Sequence, residues 1–140
     1  FLKISVNLST RDLLDQDLPL KFNEILKRHG LAPSAFCLEI TESAIMDDPI
    51  RAQGTLERLH AMGVDLSIDD FGTGYSSLAY LKRLPVTYLK IDGDFVRGMD
   101  HDREKMAIVK AMHTLGHELG KQTIAEQVEK DTIAIIEAAK

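Results

Sequence analysis

The chain has 140 residues, enough to enclose one hydrophobic core, and its 44% hydrophobic and 28% charged residues exclude a disordered or low-complexity segment. No apolar run approaches the length of a membrane span. Seventeen Lys and Arg against 22 Asp and Glu leave a net charge of −5 with no basic cluster, which argues against duplex nucleic acid as a partner. A phosphate-bearing ligand is not excluded, because a divalent cation held by carboxylates reverses the local field.

The opening on Phe1, with no basic region and apolar leader, suggests an excerpt from a longer protein. The single cysteine, Cys37, precludes an internal disulfide and fits a reducing, cytoplasmic setting for this domain, while membrane tethering of a parent protein stays open.

Five segments share one grammar: a short alternating run ending in polar residues, a loop, then a helical pattern. The first run is Lys3 to Ser9, followed by a helix over Leu18 to Arg28 with Gly30 as its C-terminal glycine. The second is Cys37 to Glu42, and its helix starts at Asp48-Pro49, an N-cap and first-turn proline. The third, Asp65 to Tyr75, carries two adjacent aspartates into a Gly-Thr-Gly turn, and a helix from about Ser76 to Leu84 stops at Pro85. The fourth is Thr87 to Asp92, followed by a charged loop over Asp100 to Lys105 and a longer helix ending before Gly120. The fifth is Gln122 to Glu129, with a helical tail through Ile133 and Ile136.

Alternating strands and helices without hairpin signals predict an α/β fold with a parallel sheet. An open, doubly covered sheet needs two apolar strand faces. Here one face is apolar (Ile4, Val6, Leu8; Leu38, Ile40; Leu66, Ile68; Leu89, Ile91) and the other is polar (Ser5, Asn7; Glu39, Thr41; Ser67, Asp69; Tyr88, Lys90, Asp92). That pattern predicts a TIM-type barrel whose outside meets helices and whose C-terminal mouth holds a site. The fifth run fits less well, since Glu126 shares its face with Ile124. Asn7, Glu39, Asp69, Lys90 and Glu126 recur at intervals near the roughly 30 residues of one βα unit, so five units form a partial barrel.

Asn7, Glu39, Asp69, Asp70 and Glu126 would converge on that mouth. Oxygen donors of this kind suit Mg²⁺ or Mn²⁺, and two such ions are a device for in-line phosphoester hydrolysis. Lys90 would hold the attacking water or offset charge on phosphate oxygens. The competing explanation is structural: strand-end Asp and Asn often cap turns, and Lys90 could simply pair with Glu126 or Asp69. Glu39 resists that explanation, because a carboxylate between Leu38 and Ile40 is costly without a partner. Asp92, on the same face, is expected to reach the substrate. The five histidines fall in helices or loops and are not read as ligands. A strand lysine could also form a Schiff base, but the surrounding carboxylates favour its charged form.

Ser5-Val6-Asn7-Leu8-Ser9, Leu38-Glu39-Ile40-Thr41-Glu42-Ser43, Asp69 through Leu78, Leu89-Lys90-Ile91-Asp92 and Ala125-Glu126-Gln127-Val128-Glu129 resemble, in order, the successive signatures of EAL-domain cyclic di-GMP phosphodiesterases. The resemblance covers residues 1–140 as a partial domain. It implies a TIM-type barrel with one antiparallel strand, hydrolysing cyclic di-GMP to linear pGpG with Mg²⁺ or Mn²⁺.

By the same resemblance, Asn7, Glu39 and Asp69 hold the first ion, and Asp69, Asp70 and Glu126 serve the second. Lys90 orients the water, with Lys90 and Glu126 as the catalytic pair. Glu42 holds the loop that includes Phe71, Gly72, Thr73 and Gly74, and a homodimer forms through the Asp70–Ser76 region. Diguanylate cyclase-like or sensory modules are the expected upstream neighbours. The Glu-Ala-Leu tripeptide and the final strand would lie outside residues 1–140, so this segment alone is expected to be inactive. The alternative is a non-catalytic cyclic di-GMP receptor, which retention of Asp69, Asp70, Lys90 and Glu126 disfavours.

Overall fold

A computed structural model describes residues 3–71 and 78–125. Among these residues, five strands form one all-parallel sheet in the order β1-β2-β3-β4-β5. Strand order decides the architecture. A doubly wound sheet reverses direction at a switch point, whereas each strand here adds beside the one before it, as in a barrel wall.

β1 (Ile4–Leu8) is followed by α1 (Thr10–Leu14) and α2 (Leu18–Arg28). The sequence pattern had not indicated α1. Its signal is a capping box, in which the Ser9 hydroxyl accepts from the Asp12 backbone N–H at 3.1 Å and Asp12 Oδ2 accepts from the Ser9 N–H at 3.1 Å. Leu13 then anchors this short helix in the core, fully buried. Gly30 closes α2 at φ +64°, the left-handed geometry expected of a C-terminal glycine.

A 3₁₀ turn at Pro33–Ala35 leads into β2 (Phe36–Thr41). Thr41 and Glu42 end the strand differently from the expected run to Glu42: the Thr41 hydroxyl caps α3 (Glu42–Asp47), with Glu42 in its first turn. α4 (Pro49–Ala61) starts as predicted, with the Asp48 carboxylate accepting from the Arg51 N–H.

β3 (Asp65–Phe71) and α5 (Leu78–Arg83) precede β4 (Tyr88–Ile91). The predicted charged loop after β4 is more ordered than expected. It contains α6 (Gly93–Val96), a 3₁₀ turn at Met99–His101, and the start of α7 (Arg103–Glu118), which Asp102 caps through the N–H groups of Glu104 and Lys105. Last comes β5 (Gln122–Ala125). The helical tail expected around Ile133 and Ile136 lies outside the described residues.

The main core sits between the outer face of the sheet and the helices. Leu38, Ile40, Leu66, Ile68 and Leu89 meet Leu13, Leu26, Ala44, Ile45, Ala52, Leu56 and Leu59 there. Each fully buried Leu or Ile contributes roughly 1.5–3 kcal/mol. A second cluster, Ile91, Val96, Met99 and Val109, packs α6 and α7 against the β4 end. At the β1 edge the same apolar face is more open: Ile4 is 50% and Val6 37% exposed.

Candidate functional site

Alternation puts Asn7, Glu39 and Ser67 on the face turned away from the helices. Register places them level, with Asn7 beside Glu39 and Glu39 beside Ser67. Asn7 is exposed on its edge strand, while Glu39 and Ser67 are buried. One step toward the C-terminal ends, Asp69 stands beside Thr41.

Between β3 and β4 the register slips. Ile68 pairs with Leu89 and Phe71 with Ile91, so two residues, Asp69 and Asp70, oppose the single Lys90. This is a β-bulge. Asp70 takes φ +53°, and it is the one non-glycine residue with positive φ among the described residues. Left-handed backbone is tolerated better by Asp than by most residues. In a regular strand the neighbouring aspartates would face opposite sides of the sheet. The bulge breaks that alternation, and the Asp70 N–H donates to Asp69 Oδ1 at 3.1 Å.

The electrostatics follow from this crowding. Partial burial, then the charges of Asp69, Asp92 and Asp94, raise the Asp70 carboxyl above its ordinary value. Asp92 serves as N-cap of α6, accepting from the Asp94 N–H at 3.0 Å. Asp94 is a contributor that sequence reasoning missed; its signal was an acid two residues past the fourth strand's terminal Asp92.

Ion pairs cross the inner face, stepping over one strand. Lys3 meets Asp65 across β2, and the Lys90 ammonium donates to Glu39 Oε1 across β3. Glu39 is thus one partner of the lysine that sequence reasoning set against Glu126 or Asp69; Glu126 lies outside the described residues. Cys37, on the same face, has its thiol pushed up by burial and by Glu39, with Lys3 and Lys90 acting in the opposite direction.

Asn7, Glu39, Asp69, Asp70 and Lys90 therefore lie on one face near the C-terminal half of adjacent strands. Glu42 and Phe71 are buried; Phe71 is part of the main core, and Glu42 opens α3. Glu126, Gly72, Thr73 and Gly74 lie outside the described residues, as does most of the expected dimer segment.

The donor set is hard: one amide oxygen and several carboxylates, in a field that already resists a further negative charge at Asp70. That chemistry fits Mg²⁺ or Mn²⁺. Among the described residues no three His, Cys, Asp or Glu side chains surround one point, so an ion here would also draw on the Asn7 amide and on groups beyond these residues.

The model of the family described as "EAL domain" matches residues 1–136. The chain belongs to the EAL-domain family. The bifunctional diguanylate cyclase/cyclic di-GMP phosphodiesterase MucR of Pseudomonas aeruginosa is 48% identical over 128 residues, 91% of this chain and 19% of MucR. The solved PaMucR phosphodiesterase in complex with c-di-GMP superposes with a TM-score of 0.92 at 45% identity, covering 98% of this chain and 56% of that one. The EAL domain of Mycobacterium smegmatis DcpA gives 0.88 at 38% identity, over 98% of this chain and 62% of that one. The chain spans less than a fifth of the length of MucR and of other curated relatives it matches. Among the described residues no helix is long and apolar enough to cross a membrane.

Proposed function

We propose that this EAL chain carries the central part of a metal-dependent phosphodiesterase site that hydrolyses cyclic di-GMP to linear pGpG. The observation that carries this reading is the β3 bulge, which sets Asp69 and Asp70 together opposite Lys90, with Glu39 reaching the same ammonium from β2.

Asn7, Glu39 and Asp69 would hold one divalent ion, and Asp69, Asp70 and Glu126 a second. When bound, such ions supply Lewis acidity and lower the pKa of a water. Asp69, in the bulge, would be common to both sets. Lys90 orients the attacking water and offsets charge that develops on the phosphate oxygens. Asp92 holds the start of α6 and lends its charge to Asp70; in this reading it would contact the nucleotide rather than the reacting phosphorus.

MucR, named as a diguanylate cyclase and cyclic di-GMP phosphodiesterase, supports the substrate class. The same reading includes a cyclase-like or sensory module elsewhere in the longer protein, and a homodimer through the Asp70–Ser76 region. The test is conversion of cyclic di-GMP to pGpG by the full-length protein with Mg²⁺ or Mn²⁺, followed by chromatography. Tight cyclic di-GMP binding without turnover would replace this reading with that of a receptor.

A further inference from the structure

Glu39 and Lys90 sit on strands that are not neighbours. β2 and β4 are separated by β3, about 10 Å apart at the usual strand spacing, and two long side chains close the gap. On β3 between them lie the Asp69-Asp70 bulge, opposite Lys90, and Ser67, which stands beside Glu39 in register and is fully buried. Its Oγ is the one buried side-chain polar atom without a hydrogen-bond partner among the described residues.

These are two independent irregularities at one spot. A part-buried carboxylate keeps a cation against it because a lone charge there is costly, yet a hydroxyl that could donate to it is idle. An ionised carboxylate only accepts, and it has room for several donors.

We propose that Lys90 is an internal stand-in for a divalent ion: its ammonium holds the Glu39 carboxylate until an ion takes that place, and the Ser67 hydroxyl then donates to Glu39 and keeps it oriented. This rests on the metal-dependent reading above and adds a regulation of the same site. Lys90 and the ion compete for one oxygen, so Lys90 becomes available to a water only once the ion is in place. Ser67 is a positioning residue, acting through Glu39.

The test is Mn²⁺ binding to the metal-stripped full-length protein, by calorimetry without nucleotide, alongside thermal melting. Lys90→Met tightens Mn²⁺ binding by roughly tenfold or more, the scale of one lost charge-assisted competitor. It also lowers the metal-free melting temperature, and saturating Mn²⁺ restores it. Lys90→Arg keeps Glu39 paired, through a fork suited to carboxylates, and binds Mn²⁺ no more tightly than the wild type. Ser67→Ala weakens Mn²⁺ binding without lowering the metal-free melting temperature, and Ser67→Thr restores affinity; a merely structural serine would do the reverse.

If the wild type binds Mn²⁺ but Lys90→Met binds it equally or less well, or Lys90→Arg binds it more tightly, the stand-in is wrong and the metal site stands. Unchanged affinity in Ser67→Ala removes Ser67 from the scheme. If the wild type fails to bind Mn²⁺, or Glu39→Gln leaves binding intact, both this inference and the reading beneath it fall.

Discussion

Two lysines near the sheet solve the same problem in opposite ways. Lys90, near the C-terminal end of β4, meets a carboxylate, Glu39, on the polar face. Lys121, just before β5 at the N-terminal end of the sheet, is 9% exposed and donates to two neutral carbonyls, Leu84 O at 2.9 Å and Val86 O at 3.2 Å. Its pKa is lowered by burial. One lysine is held by a partner that a metal ion could take, and the other by backbone that cannot leave. In a parallel barrel the C-terminal ends of the strands carry chemistry and the N-terminal ends carry stability. The contrast between the two lysines maps onto that division.

The largest effect that would break this contrast is at the chemical end. Asp69→Asn or Glu39→Gln in the full-length protein should cut metal-dependent turnover of cyclic di-GMP by roughly a hundredfold or more and leave the circular dichroism spectrum unchanged. Near-normal rates would remove these carboxylates from the site.

At the other end, Lys121→Met should destabilise the fold by about 1–3 kcal/mol, because two buried carbonyls lose their donor. Mn²⁺ affinity should not move. The pH dependence gives a sharper signature. The folded chain binds the Lys121 proton less tightly than the unfolded chain, so this group makes stability rise as pH climbs from its folded-state pKa toward the ordinary 10.5. Melting scans across that window should show a slope in the wild type that is reduced in the variant.

The same end of the sheet contains a close approach that invites a third test. A Cβ on Gly116 in α7 would come within 2.5 Å of Thr123 Cγ2. Thr123 cannot simply rotate away, because its hydroxyl is 2.5 Å from His113 Nδ1. Gly116→Ala should therefore cost about 1–3 kcal/mol of overpacking, despite alanine's better helix propensity. Chemical denaturation would read it, and a stabilised variant would show that α7 does not seat on β5 this closely.

The smallest expected effect is at Asp70. Its raised pKa means that the folded chain holds the proton more tightly than the unfolded chain. The resulting penalty is absent below about pH 3.8, the ordinary value, and complete above the folded-state value. Asp70→Asn, which tolerates the left-handed backbone, should slightly raise the metal-free melting temperature at neutral pH, and the difference should vanish in acid.

Much of this molecule was legible in the residues alone. Period-2 runs with one apolar face located all five strands within a residue or two where they are described, and Gly30, Asp48-Pro49 and Pro85 marked helix ends correctly. Such signals are local, because they depend on backbone geometry and capping within a few residues. The short helices α1, α3 and α6 escaped notice because one turn carries too little periodicity; only their caps at Ser9, Thr41 and Asp92 betray them.

Chain order and side-chain parity alone determined that Asn7, Glu39, Asp69 and Lys90 share one face, since strand alternation leaves no other choice. Three matters waited for the tertiary structure: that Asp69 and Asp70 together oppose Lys90, that Lys90 reaches Glu39, and that the Ser67 hydroxyl, beside Glu39 in register, has no hydrogen-bond partner among the described residues. Each depends on how a strand registers against its neighbour, and register is set by pairing energies between segments distant in sequence. A single extra residue in β3, invisible in its own alternation, sets two adjacent acids opposite one lysine.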